Sequence, residues 1–219
     1  MIFVGEKPAN WALSLMAAFQ QVSPSTIGHM TDTGFMKGLH SLSGGRLVGR
    51  AVTVKIPHLD SAAVHVAVNE LEPGDVLVVD MNGDFDRASV GGIVAYAANV
   101  RGAAGIIVDG GITDVEEIRA LDGLRVYYRT ISALTTRALG IEGEVHVPIA
   151  VGGAAVLPGD LILGDESGVM ALRGSGLAEL ATMAYDKEQG EVQTKQKLDA
   201  GIPLMQLSRT DQFVQKKRD

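Results

Sequence analysis

The stretch AAGIIVDGGITDVEEIRAL, residues 103–121, joins a short apolar run, a Gly-Gly pair flanked by aspartates and a helical pattern. β-branched residues in the run favour a buried strand, whereas Val115, Ile118 and Leu121 recur with the spacing of an amphipathic helix. We therefore predict a strand, a tight turn and a helix. Such strand-to-helix junctions often bind ligands in α/β proteins, because their side chains face a crevice beside unpaired helical amides.

Two aspartates of this stretch, Asp109 and Asp114, lie close to the predicted junction. A purely structural interpretation exists for both: Thr113 or Asp114 caps the helix, and Asp109 stabilises the turn. From spacing alone this interpretation is favoured over a ligand-binding role, because capping residues are so common at helix starts.

Strands and helices also alternate along the rest of the chain. The pattern predicts strands at 46–56, 73–80, 103–111, 125–131 and 168–174, and helices at 9–22, 60–71, from 113 and at 176–201, the last weakened by Gly190. Alternation in the centre indicates parallel pairing, and the β-dense tract 144–173 indicates a second, partly antiparallel layer. We predict an α/β fold, with layered mixed sheets flanked by helices in a single domain over 1–205 and a polar tail over 206–219.

The composition excludes several classes of function. A net charge of −7, with no basic cluster longer than KKR near the end, argues against direct nucleic-acid binding. The chain has no cysteine and no apolar run long enough to span a bilayer, and its N-terminus lacks the pattern of a signal peptide. We expect a cytoplasmic protein without membrane contact, in which any metal is a hard cation bound by oxygen.

Other candidate ligands have simpler interpretations. The five histidines show no paired metal-ligand spacing, so we predict structural roles for all of them and place His65 on a helix near the core. The DMNGDFDR segment contains three aspartates but lacks the rest of a calcium-binding loop, so turn residues are the preferred interpretation. The residues concerned are His29, His40, His58, His65, His146, Asp80, Asp84 and Asp86.

Four motifs occur in order over roughly residues 45–175: GGRLVGRAVTVK, EPGDVLVVD, GGIVAYAANVRGAAGIIVDGGITDVEEIR and VGGAAVLPGDLILGDESGVMAL. Together they resemble the RraA-like family. That family includes the class II pyruvate aldolases acting on 4-hydroxy-4-methyl-2-oxoglutarate and 4-carboxy-4-hydroxy-2-oxoadipate. The resemblance implies a swivelling β/β/α fold, assembly into homotrimers or hexamers, and an active site between subunits.

The aldolases of that family share a signature of Asp or Gly, twenty residues and Arg-Asp, with an acid three positions later in the glycine form. Here Gly92 is followed by twenty residues, then Thr113-Asp114, with Glu117 at the acidic position. By resemblance, Thr113, Asp114 and Glu117 occupy the catalytic positions, and Asp114 binds the divalent metal, Mg²⁺ or Mn²⁺. The implied substrate-binding residues are Thr113 and the backbone of Gly91, Gly92, Ile93 and Val94.

Physical chemistry is compatible with these assignments but also offers plainer ones. Magnesium often takes only one or two protein carboxylates and keeps several waters, and glycines let a backbone approach an anion closely. Alternatively, the glycine pair starts or kinks a helix or permits close packing, and Glu117 is a solvated acid in a first helical turn.

Thr113 departs from the signature, because it stands where the family has arginine. Losing a preorganised donor to developing charge typically costs about 2.7–4 kcal/mol. In the first hypothesis the protein is still a divalent-metal lyase of 2-oxo acids, which cleaves aldol substrates to pyruvate or decarboxylates oxaloacetate. The positive charge of the missing arginine then comes from Lys55, Arg87 or Arg129. A second has a substrate that lacks the carboxylate bound by the arginine, so that the threonine hydroxyl suffices.

The third hypothesis is a non-catalytic regulator that binds a protein partner such as RNase E. The pairing of Asp114 with Glu117 favours the enzyme hypotheses, because a binding module has no need of metal-linked acids. The shared site implied by the family also predicts that an acid from a neighbouring chain, Glu188 or Glu191, completes it.

Overall fold

A computed structural model describes residues 1–214 of the chain. Residues 215–219, which end the predicted tail and include the KKR stretch, lie outside the described residues. The strands are β1 (Ile2–Val4), β2 (Phe35–Met36), β3 (His40–Ser41), β4 (Leu47–Lys55), β5 (Asp75–Asp80), β6 (Ala88–Val90), β7 (Gly105–Ile112), β8 (Arg125–Ile131), β9 (Gly143–Val145), β10 (Ile149–Val151), β11 (Ala154–Val156), β12 (Leu161–Asp165) and β13 (Gly168–Leu172). The α-helices are α1 (Leu13–Gln20), α2 (Pro24–Gly28), α3 (Ala62–Glu70), α4 (Gly92–Val100), α5 (Val115–Arg119), α6 (Leu177–Asp199) and α7 (Leu204–Leu207), and a 3₁₀ turn spans Thr210–Phe213.

Parallel strands form the centre of the main sheet, in the order β4, β5, β7 and β8. On the far side of β4 the sheet continues through β12, β13 and β2, which pair antiparallel. Strands β10 and β11 form a separate antiparallel hairpin. This arrangement confirms the predicted α/β fold with a parallel centre and a partly antiparallel second half.

Both faces of the central sheet are buried, which explains the near-continuous apolar sequence of its strands. One face packs against helices α3, α4 and α5, and the opposite face packs against the β10–β11 hairpin. Strand β4 supplies residues to both sides, with Val52 and Val54 under the helices and Ala51 under the hairpin. The layers are therefore helices, sheet and hairpin, the β/β/α order that the resemblance implied.

The helical predictions need correction at both ends of the chain. The helix predicted at 9–22 spans only Leu13–Gln20. A second helix starts at Pro24, where Ser23 caps it by accepting a hydrogen bond from the Thr26 amide. Helix α6 runs without interruption through Gly190. The described part of the predicted tail contains the end of α7 and the 3₁₀ turn, whose residues are largely exposed. Within residues 1–214, no helix is both long and apolar enough to cross a membrane.

Candidate metal and substrate site

Asp114 lies at the junction between β7 and α5 in a left-handed backbone conformation, with φ of 53°. Few non-glycine residues adopt this conformation, although aspartate does so more often than most, and such residues recur at functional sites. Its side chain does not cap α5; instead Oδ2 accepts a hydrogen bond of 2.9 Å from the amide of Gly92. The capping interpretation is therefore wrong for Asp114, whose carboxylate reaches across to the start of α4.

The glycine pair packs directly against the acidic residues of the signature. A Cβ at Gly91 would lie 2.7 Å from Asp114 Oδ2 and 3.0 Å from Thr113 Cγ2. A Cβ at Gly92 would overlap the carboxylate of Glu117. The pair does start a helix and permit close packing, as the plainer interpretation held, but its packing partners are the three residues predicted to form the site.

Helix α4 begins at Gly92 and runs for nine residues, so its first amide groups point out of its N-terminal end. The Gly92 amide is used by Asp114. The next two amides, of Ile93 and Val94, belong to the first turn and have no acceptor within the helix. They present partial positive charge, so an anion is favoured at this end of the helix.

A cavity of about 240 Å³ opens between this glycine loop and the junction at Asp114. Its polar lining consists of five hydroxyl side chains, one carboxylate, Asp114, and one imidazole, His65. Gly91, Ile93 and Val94 also line it, whereas Glu117 does not and lies behind Gly92. The hydroxyl residues are Ser61, Ser89, Thr113, Thr135 and Thr136.

The backbone next to the cavity is held by Asp60, which is 3% exposed and precedes the lining residue Ser61. Its carboxylate accepts hydrogen bonds from five backbone amides, those of Ala62, Leu139, Gly140, Ile141 and Glu142. Burial by itself would raise the pKa of Asp60, but the bonds from these amides hold it well below its ordinary value. Asp60 thereby ties segment 139–142, which follows the cavity-lining residues Thr135, Thr136 and Ala138, to the start of α3.

The prediction that His65 lies on a helix near the core is only half right: His65 lies on α3, but it is exposed. Helix α3 turns its alanines and valines toward the sheet, among them Ala63, Val64 and Ala67, and this leaves residue 65 on the other side. Neither His65 nor Ser89 belongs to a recognisable spacing, so sequence reasoning missed both. Only the folded chain brings them to the same cavity as Asp114.

The three basic residues considered as replacements for the missing arginine lie elsewhere. Arg129 donates to Asp109 Oδ1 at 2.5 Å and stacks over the ring of Phe85. Arg87 donates to Asp84 Oδ2 at 2.7 Å. Lys55 lines a different cavity, near Asp80, and among the described residues no lysine or arginine lines the Asp114 cavity.

The other predicted carboxylates have structural partners. Asp109 accepts from Arg129 and from the amide of Gly152 in the hairpin, so it ties the hairpin to the sheet. The turn interpretation of the DMNGDFDR segment is supported, because Asp80 accepts from the Asn82 amide and Asp84 from the Asp86 amide.

Glu188 is engaged within its own chain. It accepts hydrogen bonds from the Ser23 amide at 2.7 Å, the Ser23 hydroxyl at 2.8 Å and the Thr26 hydroxyl at 2.7 Å. Of the two acids predicted to serve a neighbouring site, Glu191 is therefore the better candidate, because it is exposed on α6.

The donor set fits a hard, largely hydrated cation. Asp114 supplies carboxylate oxygen. Its Oδ2 accepts from the Gly92 amide, whereas Oδ1 has only the Thr113 hydroxyl, at 3.5 Å, so Oδ1 is available to a cation. Within the described residues, no three acids or histidines are grouped as a metal cage. Zinc sites use three or four protein ligands, whereas Mg²⁺ is often held by one or two carboxylates and several waters.

The fold and the site thus define a layered α/β protein with an acid-and-glycine cleft at the carboxyl end of a parallel strand. A family model described as RraA-like, Aldolase/RraA, matches residues 22–171. The chain belongs to the RraA-like family.

Individual relatives carry both names of that family. A 4-hydroxy-4-methyl-2-oxoglutarate aldolase from Thermus thermophilus is 37% identical over 58% of this chain and 76% of its own length. The crystal structure of RraAS2 from Streptomyces coelicolor, described as an unusual member of the RNase ES inhibitor RraA protein family, is 28% identical with a TM-score of 0.74 over 87% of this chain and 98% of that one. The structure of the RNA-processing inhibitor RraA from Thermus thermophilis is 31% identical with a TM-score of 0.62 over 69% and 94%.

Proposed function

We propose that the protein is a divalent-metal-dependent carbon–carbon lyase that acts on a 2-oxo acid. The reactions would be retro-aldol cleavage to pyruvate, decarboxylation of oxaloacetate, or both. The observation that carries the proposal is the carboxylate of Asp114, which is held by the Gly92 amide in a strained junction and lines a cavity with the glycine loop. The aldolase named among the relatives supports the same reaction class.

Each part of the cavity has a task in this proposal. Asp114 holds Mg²⁺ or Mn²⁺, which when bound supplies positive charge for the substrate's keto oxygen. The free amides at the start of α4 bind the substrate carboxylate, and Thr113 offers a neutral hydroxyl beside it. Glu117 fixes the conformation of the loop through its contact with Gly92 and is the nearest signature acid for a water-mediated role.

Thr113 sets the expected level of activity. A threonine hydroxyl has no charge and is too short to replace a guanidinium fork. Without that donor we expect turnover about 10²–10³ below that of an enzyme with the complete signature, unless the substrate lacks the group that the arginine binds. Both enzyme hypotheses remain within this proposal.

The regulator hypothesis is the second candidate. Two observations favour it: Thr113 itself, and the structural similarity to proteins described as inhibitors of RNA processing. On this hypothesis the cavity has no turnover, and the function resides in contacts with a protein partner.

We further propose a homo-oligomer, a trimer or hexamer, with the cavity at the subunit contact. Helix α4 supports this, because Ile93, Tyr96 and Val100 form an apolar stripe that is 82%, 59% and 68% exposed beside the cavity. Exposed apolar stripes of this kind mark interaction surfaces. Glu191 of a neighbouring chain would then supply the second acid.

One assay separates the two candidate functions. The purified protein is incubated with a panel of 4-hydroxy-2-oxo acids and with oxaloacetate, and pyruvate is measured with Mg²⁺, with Mn²⁺ and after EDTA. Pyruvate that appears with metal and disappears with EDTA supports the lyase. Absence of metal-dependent turnover on every substrate would leave the regulator as the better description.

A further inference from the structure

The Asp114 cavity combines a carboxylate with hydroxyl groups and an imidazole, and within residues 1–214 only the imidazole side chain of its lining can carry positive charge toward an anionic substrate. We infer that this side chain, His65, is a substrate-binding residue that donates a hydrogen bond to the substrate carboxylate. The inference rests on the proposed function, since it assumes a 2-oxo acid in this cavity. It assigns to His65 a role that the sequence pattern did not indicate.

The position of His65 on α3 directs it toward the cavity. Ser61, at the N-terminal end of the helix, and His65 are four residues apart, which places them on one face, and both line the cavity. The opposite face carries the buried Ala63, Val64, Ala67 and Val68. His65 is thus exposed because it faces the cavity side and not because the helix end is frayed.

The start of α3 is fixed rigidly relative to the rest of the wall. The Ser61 amide donates to Arg137 O at 2.8 Å, and the Arg137 amide donates to Leu59 O at 2.8 Å. The segment that contains Arg137 is also tied to β6, because the Thr136 amide donates to Ala88 O at 3.0 Å. These bonds hold the helix that carries His65 against the strand that carries Ser89.

Ser89 provides an independent indication that a polar ligand belongs here. The residue is 5% exposed and lines the cavity, yet its hydroxyl has no hydrogen-bond partner within the described part of the chain. Buried hydroxyls without partners are uncommon in folded proteins, and a ligand or its bound water is one way to satisfy them. Ser89 therefore adds an unpaired polar group next to the cavity that His65 lines.

The chemistry of imidazole suits the task. A ring N–H is present in both the neutral and the charged form of histidine, so His65 donates whichever form is present. Asp114 adds negative charge to the cavity, and Thr113 adds none of the positive charge that a substrate carboxylate requires. His65 and the free amides of α4 together supply donors to the two oxygens of that carboxylate.

The test measures pyruvate binding in the presence of Mg²⁺ by amide chemical shifts of Gly91 and Gly92 and by the imidazole proton resonances of His65. Wild-type protein should show saturable shifts at all three residues. His65→Leu should weaken binding about 10- to 100-fold, as expected for a lost bond to a charged group. His65→Gln, which retains an N–H donor, should recover most of the affinity, and His29→Leu serves as control because His29 is exposed but does not line the cavity.

The outcomes separate this inference from the proposed function. Pyruvate binding that is unchanged in His65→Leu would overturn the role of His65 while leaving the metal-dependent lyase intact. A wild-type protein that shows no pyruvate shifts at Gly91 or Gly92 would contradict the proposed site itself. Thermal unfolding of each variant confirms that a loss of binding does not reflect a loss of fold.

Discussion

The carboxylate of Asp114 accepts a hydrogen bond from the amide of Gly92, 22 residues earlier in the chain, at 2.9 Å. This bond joins the strand that ends near Asp114 to the helix whose amides face the cavity. It also orients the side chain so that its second oxygen is not committed to the backbone. The proposed chemistry depends on this orientation.

Asp114→Asn should abolish metal-dependent turnover while preserving the fold. The amide oxygen of asparagine can still accept from Gly92, but the charge that holds a hard cation is gone. We expect a fall of at least about 10²-fold in pyruvate formation, of the order seen when a charge-stabilising group is removed. Asp122→Asn, at an exposed position after α5, is the matched control and should retain activity. Equal activity in both variants would exclude Asp114 as the metal ligand.

Gly92→Ala should impair activity more than stability. The new methyl group would overlap the Glu117 carboxylate, but that side chain is exposed and can rotate away at small cost. Turnover falls because Glu117 leaves its position behind the loop. Urea unfolding and pyruvate formation are both measured. Gly190→Ala is the control, since it meets nothing within 4 Å and should stabilise α6 by about 0.5–1 kcal/mol without affecting turnover.

Thr113→Arg tests whether the missing cation limits the rate. Thr113 lines the cavity next to Asp114, so a guanidinium placed there can reach a bound anion. We expect pyruvate formation to rise about 10²–10³-fold on the best substrate of the panel. The same substitution combined with Asp114→Asn should remain inactive. No increase would mean that the surrounding geometry has also changed.

Assembly is tested by light scattering. Wild-type protein should have the mass of a trimer or hexamer, and Tyr96→Glu, which places a charge in the exposed α4 stripe, should shift it toward the monomer and lower turnover. Leu13→Glu introduces the same charge at an 86% exposed position on α1 and should leave the mass unchanged. A wild-type monomer at working concentration would refute the shared site.

We expect the protein to lose stability at mildly acidic pH because of the buried His146. Its ring is buried, and within the described residues neither ring nitrogen has a hydrogen-bond partner. Burial lowers the pKa of His146 below the ordinary 6.5, and the charges of Lys7 and Arg50 lower it further. The Glu70 carboxylate, 3.8 Å from Nε2, acts in the opposite direction but does not outweigh burial. The unfolded chain then binds the proton more readily, so stability is fully present above about pH 6.5 and declines as pH falls from there toward the folded pKa.

The comparison is made with His146→Asn, because asparagine tolerates the left-handed backbone at this position, where φ is 55°. Urea unfolding at pH 7.5 and pH 5.5 should show a smaller difference for this variant than for wild type. His29→Asn, at an exposed histidine, should keep the wild-type difference. An identical pH dependence in all three proteins would contradict the assignment.

Local patterns sufficed for the layers of the fold, whereas the candidate site residues came from the resemblance to the RraA-like family and remain a prediction. The β7–α5 junction, the glycine pair and the spacing to Asp114 follow from residue types close together in the chain. What could not be read from spacing depends on contacts between distant segments. The bond from Gly92 to Asp114 and the pairing of Arg129 with Asp109 exist only once the strands are aligned.

His65 shows the same limit for burial. Helical periodicity correctly placed it on a helix, but not on the right face: His65 lies opposite the buried residues of α3, on the side that lines the cavity with Thr135, Thr136 and Ala138. In the same way, the hydrogen bonds that engage Glu188 come from Ser23 and Thr26, far away in the chain.

The Glu117 carboxylate fills the space that a side chain at residue 92 would occupy. A carboxylate could therefore occupy this position from residue 92 or from residue 117, provided that the other residue has a small side chain. Relatives that have exchanged the donor segment would look mutated in an alignment, although their clefts present the same group. Surveys of this family should thus compare where the carboxylate lies in space and not which column of the alignment contains it.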